Sequence, residues 1–243
     1  MSRALSSLLT AALLAAAAAV RAGPPPLVQP ASAWPPPAAN LPAVITSGLD
    51  TAAWTVDPDK ARITVTALTN GLLIEAEVRD TDLRAPHAAR DSYLHEGDAF
   101  EIFLQCATGA TFYMELQVAP NGAFLDNFML DRFWGRYGTA DMLDWDIKGY
   151  QLTVTPRGTI NQPDDVDEGY ALRLLLPPSA LKGNPRWPVA GQAWRGNFVI
   201  VDHGGTSSVP RVWQWAASLR EGGFPHDQDR FGVIHTAPAT PGD

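Results

Sequence analysis

The sequence predicts an all-β fold: a single-domain antiparallel β-sandwich of the immunoglobulin-like or jelly-roll-like kind. Two observations support this prediction. Apolar and polar residues alternate in one short run after another, which is typical of strands with one buried face. Gly, Pro, Asn and Asp separate these runs, and helical periodicity is scarce, with a helical turn indicated only at "PPSALKG" (177–183).

The amino terminus predicts export. "MSR" is a short basic start, "ALSSLLTAALLAAAAAV" is an uncharged apolar run, and "VRA" offers a cleavage point after Ala22. An uncleaved membrane anchor is the alternative, although so alanine-rich a run would hold weakly in a bilayer. We expect residues 1–22 to be a signal peptide and the protein to be secreted or periplasmic.

The rest of the chain divides into a linker, one domain and a tail. Residues 23–42 are rich in Pro and Ala, and proline fixes φ and removes amide donors, so an extended linker is predicted. Residues 43–237 suffice for one sandwich that buries about 70% of its unfolded surface. Residues 238–243 are predicted to be a disordered tail.

Composition excludes several classes of protein. The formal net charge is −8 and no basic run is present, which argues against a nucleic-acid partner. Cys106 is the only cysteine, so an internal disulfide and a Cys-x-x-Cys metal site are excluded. No Walker loop, HExxH or dinucleotide fingerprint occurs. We expect an acidic monomer suited to neutral ligands or divalent cations.

The predicted strands follow one another through tight turns. "ARITVTAL" and "LLIEAEVR" flank "TNG", which indicates a hairpin turn with positive φ. "AFEIFLQ", "FYMELQV" and "FLDNFML" are joined by "CATGA" and "APNGA". The later strands are "YQLTVTP", "GYALRLLLP", "WRGNFVIVD", "VWQWAAS" and "DRFGVIHT". Alternation in the first hairpin predicts that these residues lie on or beside a buried face: Ile63, Val65, Leu72, Ile74, Ala76 and Val78.

Two glutamates interrupt apolar strands. Glu101 lies between Phe100 and Ile102, and Glu115 lies in the next strand. A loop centred on Thr108 would place the two glutamates directly opposite each other, with Cβ atoms about 5 Å apart, and a register shifted by two residues would make them diagonal neighbours. Like charges at that distance need solvent, a bridging cation or a shared proton. The pair is therefore a candidate for catalysis, ligand binding or metal binding, or belongs to a solvated outer face.

The predicted face that carries the two glutamates suits a sugar. It also presents Phe103, Tyr113 and Gln117. Carboxylate and amide groups can bind sugar hydroxyls, and aromatic rings pack against the apolar faces of sugars. The face could therefore bind a carbohydrate, and the alternative is an ordinary outer sheet face beneath a loop.

Two tryptophan-containing segments are further candidates. Trp213 and Trp215 alternate with Gln214, so both indoles point the same way, either as a sugar-stacking platform or as core residues. Trp134 lies in the aromatic loop "DRFWGRYG" and could line a site, because loops often carry ligand contacts.

An acidic loop is a candidate for calcium. "NQPDDVDEG" contains Asp164, Asp165 and Asp167. Calcium takes six to eight oxygen ligands, and oxygen-rich loops supply them. The spacing is not that of an EF-hand, and a solvated acidic loop is the alternative.

Six segments, taken in order, resemble the carbohydrate-binding module family 9-like group, which belongs to the DOMON-like sandwiches. They extend from Ala43 to about His235. They are "VRDTDLRAP", "GDAFEIFLQ", "YMELQVAPNGAFLD", "GTINQPDDVDEGYALRLLLPPSAL", "WRGNFVIVD" and "HDQDRFGVI". The resemblance implies a β-sandwich with its ligand site on a concave sheet face, and structural calcium in some members.

The resemblance also implies roles for individual residues. Sugar-binding members clamp a terminal sugar between two tryptophans and hold its hydroxyls with Glu, Arg and Gln. Glu101 matches the glutamate. His95 and Phe224 stand at the tryptophan positions, Glu115 stands at the arginine position and Val199 lies near the glutamine position. The fold is therefore expected to be retained, and the two-tryptophan clamp is not.

The expected function is non-catalytic binding of an oligo- or polysaccharide in association with glycan breakdown. A glycoside hydrolase is one alternative, because Glu101 and Glu115 could meet the spacing of about 5–5.5 Å that retaining enzymes use. A haem-binding DOMON-like electron-transfer domain is another, with Met114, Met129 or Met142 as an axial ligand. No C-x-x-C-H attachment sequence is present for a c-type haem.

Overall fold

The structure of the protein, a computed structural model, describes residues 44–45, 60–68, 70–105, 112–129, 145–180, 193–205, 208–216 and 225–236. The predicted leader and linker, Cys106, Trp134, Met142, Phe224 and the predicted tail lie outside the described residues. Within these ranges the strands are β1 Val44–Ile45, β2 Ala61–Leu68, β3 Gly71–Val78, β4 Ala99–Gln105, β5 Tyr113–Val118, β6 Phe124–Met129, β7 Gln151–Arg157, β8 Gly169–Leu176, β9 Ala193–Asp202, β10 Arg211–Gln214 and β11 Gly232–Thr236.

The strands form two antiparallel sheets. The large sheet has the order β1-β11-β9-β4-β5-β6, with β10 paired to β9 beyond the end of β11. The small sheet has the order β2-β3-β8-β7. Short 3-10 helices cover Leu94–Glu96, Pro178–Ala180 and Gln228–Arg230. None of the helices in the described ranges has the length and apolar character that a membrane crossing requires.

Side chains from both sheets meet in one core. The small sheet contributes the predicted apolar face of the first hairpin, including Ile74 and Val78, and all six residues predicted for that face are buried. The large sheet contributes Phe100, Ile102 and Leu116 from alternate positions of β4 and β5. Because the side-chain period of a strand is two, the residues between these positions face away from the core. The all-β sandwich prediction is confirmed.

The turn between β2 and β3 is the hairpin that "TNG" predicts. Leu68 pairs with Gly71, so two residues connect the strands. Gly71 has φ +153°, and a Cβ there would lie 2.1 Å from the carbonyl oxygen of Leu176 on β8. Glycine is therefore needed for the turn and for the approach of β8.

The predicted helical turn is the 3-10 helix at Pro178–Ala180, and the predicted strands correspond to β2–β11 within a few residues at each end. The sequence interpretation missed β1, a two-residue strand that pairs with the carboxy-terminal part of β11. So short a segment carries no alternation from which a strand can be recognised.

Trp215 packs in the core beneath β11. Its ring lies 5.5 Å from that of Phe198, edge to face, and 1% of the residue is exposed. A Cβ at Gly232 would lie 2.2 Å from the Trp215 ring. Of the two alternatives that the sequence left open, the structure therefore places Trp215 among the core residues and away from the sheet face predicted to bind the ligand.

We expect Gly232→Ala to destabilise the fold, because the added methyl group forces the Trp215 indole to move within a packed core. The cost should be about 1–3 kcal/mol, the range for overpacking. Urea denaturation measures it, with Val166→Ala as a control at an exposed position. An unchanged midpoint for Gly232→Ala would contradict this packing.

Candidate functional site

The outer face of the large sheet carries two adjacent rows of residues. The first row crosses five strands as Gln214, Val199, Glu101, Gln117 and Leu125. The second row crosses four strands as Asn197, Phe103, Glu115 and Asn127. We call the polar members of these rows, together with Gln105 on β4, the polar face: Glu101, Gln105, Glu115, Gln117, Asn127, Asn197 and Gln214.

The two glutamates are on this face but are not opposite each other. Glu101 pairs with Gln117, and Glu115 pairs with Phe103. The prediction of a direct Glu101–Glu115 pair is therefore wrong. Phe100 pairs with Val118, so the connection between the two strands is centred on position 109 rather than on position 108. Moving the centre by one residue changes the cross-strand partner of each residue by two positions. The glutamates are diagonal neighbours.

The polar face is buried, although its residues point away from the core. Glu101 is 4% exposed and Glu115 is 7% exposed. Apolar residues of the same face form a second cluster that includes Leu94, Phe103, Tyr113, Val199 and Phe231. Removing a polar group from water costs free energy unless the group forms a hydrogen bond within the protein.

Two segments lie over the polar face and bond to it. The backbone N–H of His95, in the 3-10 helix at Leu94–Glu96, donates to Gln117 Oε1 at 3.1 Å. On the other side, Tyr113 Oη lies 2.6 Å from His226 Nδ1, and Gln105 Nε2 donates to Gln228 Oε1 at 2.9 Å. Both segments are thereby fixed to side chains of β4 and β5.

Gln117 links the first segment to the glutamates. Its Nε2 donates to Glu115 Oε1 at 2.8 Å and lies 3.5 Å from His95 Nδ1. Its side-chain oxygen is used by the His95 backbone, as described above. The amide therefore connects the exposed His95 to the buried carboxylate of Glu115.

Burial shifts the protonation of this site. Desolvation, followed by the charge of Glu115, raises the pKa of Glu101 well above its ordinary value. Desolvation, followed by His95, lowers the pKa of His226 to about 3, so this imidazole is neutral at neutral pH. Its ring packs edge-on to Phe103 with centroids 5.1 Å apart. The site thus combines a carboxyl biased towards its neutral form with amides and aromatic rings.

The rim of the site is aromatic and exposed. Tyr93 is 52% exposed, and its ring centroid lies 5.7 Å from that of His95. The resemblance in sequence implies a tryptophan at the position of His95. In this chain the Tyr93–His95 pair stands there instead. Tyr93 was not among the predicted site residues. Its signal in the sequence is its position two residues before His95.

A cleft of about 420 Å³ opens beside His95. Arg84, Glu96, Asn161 and His203 line it together with two prolines. His203 Nε2 donates to the carbonyl oxygen of His95 at 2.9 Å, which fixes the cleft against the rim. A larger cavity of about 520 Å³ lies elsewhere, at Lys60 and Trp213. Charged residues line much of that cavity, among them Asp80, Asp202 and Arg211.

One of the three aspartates predicted to bind calcium holds the loop in place. Asp167 is buried, and its Oδ2 accepts from Leu83 N at 2.7 Å while its Oδ1 accepts from Thr159 N at 2.7 Å. Asp164 and Asp165 are exposed. Asp167 therefore fastens the loop to its neighbours, and calcium binding by this loop stays a prediction.

Two of the methionines considered as haem ligands are buried. Met114 lies in the core between the sheets, and Met129 lies in the apolar cluster of the outer face, with its Sδ 3.2 Å from Asn127 Nδ2. Both side chains therefore contribute to packing.

The fold is similar to that of solved carbohydrate-binding proteins. A protein from Bacteroides uniformis ATCC 8492, provisionally designated a carbohydrate-binding protein, aligns with a TM-score of 0.54 and 16% identity over 79% of this chain and 84% of that chain. This match confirms the predicted resemblance in fold. No protein-family model and no curated protein sequence matches this chain.

Two structures of a carbohydrate-binding module of family 9 from Caldicellulosiruptor kristjanssonii align less closely. The complex with cellotriose has a TM-score of 0.49 and 14% identity, over 83% of each chain. The complex with glucose has a TM-score of 0.49 and 16% identity, over 84% of this chain and 86% of that chain.

We expect the raised pKa of Glu101 to make the protein less stable as pH rises. The folded carboxyl has a higher pKa than the unfolded one, so stability is full below the unfolded value and declines as pH rises towards the folded value. Glu101→Gln removes this decline. Urea denaturation at several pH values should show the variant gaining free energy of unfolding relative to wild type as pH rises.

The matched control is Glu168→Gln at an exposed carboxylate. A stability difference between Glu101→Gln and wild type that stays constant with pH would show that Glu101 does not titrate anomalously in the folded state.

Proposed function

We propose that this protein is an exported domain that binds a carbohydrate on the polar face of its large sheet and does not cleave it. The observation that carries the proposal is the concentration of two carboxyls and five amides on one sheet face, next to Phe103 and Tyr113. Sugars are recognised by such groups, since carboxylates and amides bind hydroxyls and aromatic rings cover the apolar faces of the sugar. The shared fold with a provisionally designated carbohydrate-binding protein supports it.

Glu101 is the proposed polar anchor of the ligand. It lies at the centre of the longer row, between Val199 and Gln117, and a carboxyl in its neutral form can both donate a hydrogen bond to a hydroxyl and accept one from it. Glu115 and Gln117 would bind neighbouring hydroxyls. Tyr93 and His95 form the exposed entrance, where the ligand would meet the protein first.

An oligosaccharide fits the site better than a single sugar does. The cleft of about 420 Å³ is lined in part by Glu96, the residue after His95, and offers Arg84 and His203 as further polar partners. Its walls are held in place, because Asn161 bonds to both the N–H and the carbonyl of Ala85. Fixed walls reduce the conformational entropy that the protein loses when a ligand binds.

The pairing of the two glutamates supports binding rather than cleavage. Each of them faces an uncharged residue across the strands, and Glu115 already accepts a hydrogen bond from Gln117. A glycosidase needs one carboxyl to act as an acid and the other as a nucleophile or base on opposite sides of one bond. The predicted leader supports a secreted or periplasmic location, and we propose that the domain acts as a monomer.

We expect Glu101→Ala to weaken glycan binding by about 1–3 kcal/mol, the cost of leaving a buried hydrogen-bonding partner of the ligand unsatisfied, with little change in melting temperature. A glycan array identifies the ligand, and titration calorimetry measures the loss. Glu77→Ala is the matched control, because Glu77 lies on the outer face of the small sheet.

Two results would count against the proposal. A folded protein that binds no glycan would rule out the function. Unfolding of Glu101→Ala would show that Glu101 is needed for the fold, and equal losses in Glu77→Ala and Glu101→Ala would show that the site lies elsewhere.

A further inference from the structure

Three buried aspartates meet at one end of the sandwich. Asp80 follows β3, Asp98 precedes β4 and Asp202 ends β9, so the small sheet and the large sheet both contribute. Each offers a carboxylate oxygen, and these oxygens all lie within 4.8 Å of one another. All three residues are buried. Three carboxylates in such a place repel one another unless a cation lies among them.

Lys60 supplies that cation. It directly precedes β2, it is 8% exposed, and its Nζ lies 2.5 Å from Asp202 Oδ2 and 3.3 Å from Asp80 Oδ2. The ammonium also lies 4.7 Å from the centroid of the Trp213 ring, a favourable cation–π distance. The positive charge among these carboxylates therefore comes from a side chain of the protein, and the carboxylates and the Trp213 ring hold it in place.

The remaining oxygens of the three aspartates have other partners. Asp98 accepts from the backbone N–H groups of His203 at 2.7 Å and Arg84 at 2.5 Å. Asp202 Oδ1 accepts from Gly204 N at 2.8 Å and from Arg211 Nη2 at 3.0 Å. Asp80 Oδ1 accepts from Asp82 N at 3.1 Å. A calcium ion needs six to eight oxygen ligands and would have to displace Lys60 and several of these donors.

The charges are close to balance without a metal. Lys60 and Arg211 provide two positive charges against three carboxylates. Desolvation, followed by the charge of Asp80, raises the pKa of Asp98 to about 7, so this carboxyl is partly protonated at neutral pH. Burial acts to raise the pKa of Asp202, but Lys60 and the hydrogen bonds hold it below its ordinary value.

A basic side chain also lies among the second group of three aspartates in the described residues, Asp91, Asp126 and Asp146. Arg90 donates to Asp126, lies 3.0 Å from Asp146 Oδ1 and lies 3.4 Å from Asp91 Oδ2. In the described part of the chain, each cluster of three carboxylates that could hold an ion therefore has a basic side chain among its oxygens.

We propose that the ammonium of Lys60 takes the place of a divalent cation among Asp80, Asp98 and Asp202, so that this end of the sandwich is closed without calcium. The resemblance in sequence implied structural calcium in some members, and the donor set here does not fit it. This inference does not depend on the proposed carbohydrate binding.

The test is thermal unfolding of the whole chain with calcium and with EDTA. Wild type should have the same melting temperature in both. Lys60→Met keeps the length of the side chain but removes the charge, and should lower the melting temperature by about 10 °C, as expected when one partner of a buried ion pair is lost. Calcium should restore part of the melting temperature of Lys60→Met, because the three carboxylates of this variant have lost the ammonium and can accept another cation.

Lys148→Met is the matched control, since Lys148 is 82% exposed and pairs with Asp146 at the surface. If Lys60→Met does not fold, Lys60→Met combined with Asp80→Asn should fold, because a carboxylate is removed together with the ammonium. Stabilisation of wild type by calcium would overturn the proposal. So would a Lys60→Met variant as stable as wild type, or a double variant no better than the single one.

Discussion

The central constraint on this structure is that β4 is buried on both faces. It pairs with β5 on one side and β9 on the other, and all seven of its residues are buried. One set of alternate side chains completes the core between the sheets. The other set, which contains Glu101, Phe103 and Gln105, lies under the segments around His95 and His226. Polar groups on a buried strand are tolerated where partners are available, and Gln105 on β4 finds its partner in Gln228 of the covering segment.

The polar face differs from an ordinary outer sheet face, because it combines hydrogen-bonding groups with burial. A buried sheet face can be closed with apolar residues, as Leu125 does at one end of the longer row and Val199 does between Gln214 and Glu101. Buried amides and carboxyls need hydrogen-bonding partners, which makes a polar buried face more demanding than an apolar one. Gln117 illustrates the point, since it holds both the entrance at His95 and the carboxylate of Glu115.

Much of the fold could be predicted from the sequence because a strand with one core-facing side has a period of two. The alternation in "ARITVTAL" and "LLIEAEVR" is enough to identify the buried face of the first hairpin. The register of β4 and β5 could not be fixed in this way. A shift of two residues preserves the alternation, so the apolar pattern is the same whether Glu101 faces Glu115 or Gln117.

The site was predictable only in part for similar reasons. Glu101, Glu115, Phe103, Tyr113 and Gln117 share a face because of their spacing alone. The cover over that face comes from 3-10 turns and irregular chain, which have no periodic signal. Trp215 has the same alternation as a ligand platform would have, and only the packing of β11 against it shows that it is a core residue. Lys60 gave no signal, since its partners are far away in the sequence.

Hydrogen–deuterium exchange with and without the best glycan from an array tests the central claim most directly, because it reports which sheet the ligand contacts. We predict slower exchange on binding in residues 93–105 and 113–118 and in the segment 225–231. Protection confined to β2, β3, β7 and β8 would place the ligand on the small sheet and contradict the assignment of the site to the polar face.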